Sequence, residues 1–137
     1  MRTLHQQRVR SIETELKHSY TREQFAMGWL MYTLHQGHEQ GTRKYQLVVP
    51  MPNPYHLVYA VVTVYPNAQW HEITIALEGF DALQDRRCTR HRGPYKLGRM
   101  RRQQDEILSH EKVAEYLFIQ YDQIITYIAR TGDAMSN

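Results

Sequence analysis

A single cysteine, Cys88, in 137 residues leaves no partner for an internal disulfide. Packing therefore has to hold this chain together, and a reducing compartment suits it. No apolar run reaches the roughly 18 residues that a membrane-spanning helix needs. The opening Met-Arg-Thr-Leu-His-Gln-Gln-Arg-Val-Arg lacks the apolar centre of a secretory signal. The expectation is a cytoplasmic protein with no membrane contact. Internal repeats and low-complexity linkers are missing, so residues 1–137 read as one domain.

Catalytic signatures are missing as well. There is no Gly-rich phosphate loop, no G-x-S-x-G and no acidic metal cluster. His71-Glu-Ile-Thr74 has His-x-x-Thr spacing, which sends the two side chains to opposite faces of a strand. His56 has no hydroxyl residue two positions on, so the paired His-x-Thr/Ser pattern of strand-borne phosphoesterases is not met. Cys88 and His91 lie among arginines that would favour a thiolate, but no third group is evident to orient them. His35 with His38, and Cys88 with His91, are each three apart, yet Gly37 interrupts the first pair and no Cys-x-x-Cys accompanies them. The expectation is a non-catalytic chain with no cofactor and no metal.

What is present is a charge concentrated in one place. Arg86, Arg87, Arg90, Arg92, Lys96, Arg99, Arg101 and Arg102 are eight of the seventeen Lys and Arg residues, with no Asp or Glu among them. The remaining nine positive charges face fourteen negative ones, so the overall +3 hides an acidic body with one basic segment. Seven of the eight are arginine, whose planar fork of donors matches phosphate oxygens. Tyr95 and His91 set flat rings among the guanidinium groups, a combination suited to stacking unpaired bases. Gly93 and Gly98 would let backbone approach a ligand closely.

The rest of the chain has enough apolar matter for a core: 42% hydrophobic residues, with ten Tyr, two Trp and three Phe. Residues 3 to 18 read as a mostly polar helix with a thin stripe of Leu4, Val9, Ile12 and Leu16. Thr21-Arg-Glu-Gln24 is a capping box, and it opens a helix through Trp29 to Leu34, with Gly37 and Gly41 as stops. Three strands follow, at Tyr45 to Val49, Tyr55 to Tyr65 and Trp70 to Leu77, separated by the proline-rich 50–54 and a turn at 66–69. The middle one is apolar on both faces. Tyr59 is expected in the core, with Tyr65 left open.

Gly79 to Gln84 is expected to leave the sheet, and the basic segment to form a loop or arm over about 86–102. A helical pattern resumes near Arg99 and pauses at Ser109, an N-cap, before a long C-terminal helix. That helix carries Val113, Tyr116, Leu117, Ile124, Tyr127 and Ile128 on one face and Phe118, Tyr121 and Ile125 on another. Two apolar faces need two neighbours, the second being the Trp29 helix or another copy of the chain. Gly132 is its expected C-cap and 133–137 a frayed tail.

The fold expected is α+β, with two N-terminal helices, a three-stranded antiparallel meander and a long C-terminal helix packed on the sheet. The function expected is nucleic-acid binding as an accessory protein, to DNA or RNA, through the basic segment. The alternative is a protein-interaction module, an inhibitor or adaptor docking on an acidic surface of a larger complex, of the type that phages and plasmids use against host defences. A homodimer through the helix at 113–128 is compatible with either.

Overall fold

The computed structural model describes residues 3–31, 33–34, 42–50, 55–81, 86–87, 92–104 and 106–135. In chain order the elements are α1 (Leu4–Ser19), α2 (Arg22–Met31), β1 (Thr33–Leu34), β2 (Arg43–Val49), β3 (His56–Pro66), β4 (Trp70–Asp81), β5 (Arg86–Arg87), β6 (Arg92–Arg101), α3 (His110–Ile119) and α4 (Tyr121–Met135). The protein is α+β, and among the described residues it has four helices and an antiparallel sheet of four long strands in the order β2-β3-β4-β6. The two-residue β1 adds to β2, and β5 pairs with the far end of β4.

Local chemistry sets most boundaries. The Thr21 hydroxyl accepts from the Gln24 N–H while the Gln24 side chain accepts from the Thr21 N–H, each at 3.2 Å, as the capping box required. Thr3 and Gln6 do the same for α1. Asn67 Oδ1 accepts from Gln69 N and Trp70 N, closing the turn between β3 and β4. Ser109 caps α3 by accepting from Lys112 N.

Period-two alternation divides the sheet into two faces. Tyr45, Leu47 and Val49 of β2, Val58 to Val64 at even positions of β3, and Ile73, Ile75 and Leu77 of β4 all point into one core. Ile12 and Leu16 of α1, Phe25 and Trp29 of α2, Leu117 of α3, and Ile124 and Ile128 of α4 fill it from above. Trp29 Nε1 donates to the Ala60 carbonyl at 3.2 Å, which seats the largest core side chain without an orphaned donor. Phe25 meets Trp29 and Tyr121 edge to face, at 4.5 and 5.2 Å between ring centres. All four helices thus share one side of the sheet.

The structure corrects the expected elements in five places. The sheet has a fourth long strand, β6, where a loop and a helix start were expected. An edge strand needs one neighbour and tolerates charge on its solvent side, so its basic residues masked it. Next, β4 continues past Gly79 to Asp81 because Gly79 still pairs with Val58. Third, α2 ends at Met31, and Thr33–Leu34 pairs with β2 instead of extending the helix. Fourth, the C-terminal helix is two helices broken at Gln120, whose N–H turns back to the Phe118 and Tyr116 carbonyls. Last, Gly132 lies inside α4 and does not cap it. The expected stops at Gly37 and Gly41 fall outside the described residues.

Tyr121 and Ile125 are buried within the chain, and the Tyr121 hydroxyl donates to the Tyr20 carbonyl at 2.8 Å. The second apolar face of the C-terminal segment therefore meets the N-terminal helices, with Phe118 left exposed.

Candidate nucleic-acid interface

The face of the sheet turned away from the helices gathers the other set of alternating residues. Lys44, Gln46 and Val48 come from β2; Tyr59, Val61, Thr63 and Tyr65 from β3; Trp70, Glu72, Thr74, Ala76 and Glu78 from β4. Among the described residues no helix packs on it. Tyr59 lies here, half-buried, and not in the core as expected, because odd positions of β3 face away from the helices. Tyr65 shares this face and is 41% exposed. Val61 and Thr63, short side chains in the central strand, are buried on this face, while Tyr65 beside them is exposed.

The β6 strand supplies the missing side of this surface. Arg101 pairs with Trp70, Arg99 with Glu72 and Lys96 with Thr74, which puts all three cations on the open face. Simple alternation would not do this, since 101, 99 and 96 are not all the same parity. A β-bulge between the Ile73 and Thr74 positions accommodates Leu97 as an extra residue. The bulge lets Leu97 turn into the core and returns Lys96 to the outer face.

Glycine at 98 makes the bulge possible. Its φ is +157°, and a Cβ there would be driven into the Tyr116 hydroxyl, which donates to the Leu97 carbonyl at 3.0 Å.

Across the strands two rows of residues result. Lys44, Thr63, Thr74 and Lys96 form one, with a cation at each end about 14 Å apart at the usual strand spacing. Tyr65, Glu72 and Arg99 form the next. The Arg99 guanidinium lies 4.3 Å from the centre of the Trp70 ring, a cation–π contact that joins the two groups. Lys96 Nζ is 3.6 Å from Glu72 Oε1. The face carries Lys44, Lys96, Arg99 and Arg101 against Glu72 and Glu78, a net cationic balance.

Not every residue expected at the site is brought together there. Arg102 is spent on structure: Nη1 donates to the Asn67 carbonyl at 2.8 Å, and its backbone N–H to the Gln69 carbonyl. Tyr95 pairs with Ile75 and so sits on the helix side of the sheet, where its ring stacks on Tyr127 at 5.0 Å. Arg86, Arg87 and Arg92 are in strands paired to β4, and Arg86 and Arg87 extend the same edge beyond β6. Arg90 and His91 lie outside the described residues. So do His35, His38 and Cys88, and among the described residues no three His, Cys, Asp or Glu side chains are placed to hold a metal.

Trp70 and Lys44 were missed as site residues. Alternation puts Trp70 one position before His71 and therefore on the opposite face, which is the signal that could have found it.

A second polar cluster closes one end of the core on the helix side. Tyr45 Oη and His110 Nδ1 are 2.8 Å apart, and Arg43 reaches both His110 Nδ1 and the Leu108 carbonyl. Burial raises the Tyr45 phenol above its usual pKa, with Arg43 opposing and Glu111 reinforcing the shift. Nearby in the fold, His71 is 2% exposed and its Nε2 has no hydrogen-bond partner. Thr74 is on the opposite face, as the His-x-x-Thr spacing required. The buried histidine is thereby separated from the open surface.

Comparison with known proteins gives no match to a family model, a curated protein or a solved structure. The functional reading rests on the geometry alone.

Proposed function

We propose that this is a non-catalytic nucleic-acid-binding accessory protein that holds a single strand on the open face of its sheet. The observation that carries the reading is the convergence of Lys96, Arg99 and Arg101 beside Trp70 and Tyr65 on a face that no described helix covers. Cations there meet phosphates, and the rings offer stacking surfaces that tolerate any base. A sheet face suits an extended strand better than a duplex, whose grooves need a protruding element. Arg86, Arg87 and Arg92, in strands along the same edge, and Arg90 are the further arginines proposed to meet phosphate.

The triple variant K96A/R99A/R101A tests the reading. All three side chains are exposed, so the fold should survive their removal. Single-stranded DNA or RNA should then bind at least tenfold more weakly, with a shallower salt dependence. Unchanged affinity in a folded triple variant would end the proposal.

A second reading, a protein-interaction module, draws on the exposed Phe118 and Ile119 of α3, the latter 65% exposed. Purification separates the two: nucleic acid absorbing near 260 nm favours the first, a stoichiometric protein the second.

A further inference from the structure

On the helix side of β6, directly across the strand from the cationic face, an open groove of about 460 Å³ runs between Tyr95 and one side of α4. Gln123, Thr126, Tyr127 and Arg130 line it, at helical spacings that keep them on a single stripe. The Tyr95 and Tyr127 rings are stacked, 19° from parallel, and Tyr95 is 39% exposed. Gln123 Nε2 donates to Tyr95 Oη at 2.8 Å, which fixes the ring and leaves the carboxamide oxygen pointing to other uses. Asp122 also borders the groove, but Arg22 holds it at 2.7 Å, so its charge is compensated. Arg130 has no ion pair among the described residues.

We infer that this groove takes one unpaired nucleobase, with its phosphate on Arg130. The stacked tyrosines provide a flat platform, the Gln123 amide a donor and acceptor for a base edge, and Arg130 the charge. Position is the further argument. Lys96 and Tyr95 are consecutive residues of an edge strand, so a nucleic-acid strand lying on Lys96, Arg99 and Arg101 reaches the groove by folding over that edge. A duplex cannot make the same turn, and selectivity for single strands follows. The identity of the ligand rests on the nucleic-acid reading of the open face; the groove itself does not.

The test combines two measurements on the full chain. The first follows its NMR signals while each of the four nucleoside 5′-monophosphates is added to millimolar concentration. The second compares affinities for single-stranded and duplex oligonucleotides of equal length in the wild type, Tyr95→Ala, Arg130→Ala and K96A/R99A/R101A. The mononucleotides should shift Tyr95, Gln123 and Tyr127 and leave Trp70 and Thr63 alone, and Tyr95→Ala should abolish the shifts. Tyr95→Ala and Arg130→Ala should each weaken single-strand binding about tenfold, the loss expected of one stacked base, and spare duplex binding. Absent groove shifts in a protein that still binds oligonucleotides through the open face would overturn this inference and leave the proposed function standing. Groove shifts in a protein that binds no oligonucleotide would do the reverse.

Discussion

His71 occupies a position that costs stability, because a buried imidazole nitrogen without a partner has lost its water and gained nothing in return. Burial holds its pKa below the usual histidine value; Arg102, Arg43 and Lys112 push the same way, and Glu106 opposes them. The unfolded chain, with histidine near pH 6.5, therefore takes up this proton before the folded one does. Stability from His71 is complete above that pH and falls as the pH drops toward the folded pKa. Replacing the ring by an apolar group removes both the orphaned nitrogen and the titration. His71→Leu should be neutral or stabilising at pH 7, by about 1 kcal/mol. It should also flatten the loss of Tm as the pH falls below about 6.5, relative to the wild type. Thermal melts across that range check it: a variant with a lower Tm and an undiminished acid slope would contradict this account of the site. The face on which His71 lies was legible from its alternation with Ile73 and Ile75. Its lack of a partner was not, since that depends on which groups the fold brings around it from distant parts of the chain.

Among the elements, β6 was the one the sequence concealed and the one that matters most for the site. Its glycines and proline read as breakers, and its bulge spoils the period-two signal. Pro94 is tolerated because an edge strand has N–H groups to spare. By contrast β3, apolar on both faces, was legible almost to the residue, and so were the Thr21–Gln24 capping box and the Ser109 N-cap, while the Thr3–Gln6 box was not. Nothing marks the break at Gln120, which has neither proline nor glycine beside it. The bulge makes its own prediction. Gly98→Ala should destabilise the protein by about 1–3 kcal/mol, because the new methyl group must displace the Tyr116 ring or the strand. Tyr116→Phe alone loses one hydrogen bond, about 1 kcal/mol. In the double variant the hydroxyl that blocks the methyl group is gone, so the combined loss should be smaller than the sum. Chemical denaturation of the four proteins measures the coupling. Strict additivity would show that the two groups do not collide.

At the scale of the whole molecule, charge and fold give one polarity. The acidic body includes helices packed over a single core, while the basic segment supplies an outer strand and its cations reach the uncovered face. The segment was visible in the sequence as a run of arginines, but a run cannot say which residues share a surface. Folding sorts them: Lys96, Arg99 and Arg101 outward on the open face, Arg102 into backbone carbonyls, Tyr95 to the opposite side. The polarity also fixes what binding should look like. Each phosphate contact on a single strand releases condensed counterions and contributes about −0.7 to the slope of log affinity against log salt. The most direct measurement is that slope for single-stranded DNA and RNA, taken for the wild type beside K96A/R99A/R101A. The account predicts salt-sensitive binding by the wild type and a slope shallower by about 2 in the variant, one contact for each side chain removed. Wild-type protein that binds neither strand at low salt, or a variant with the same slope, would contradict it.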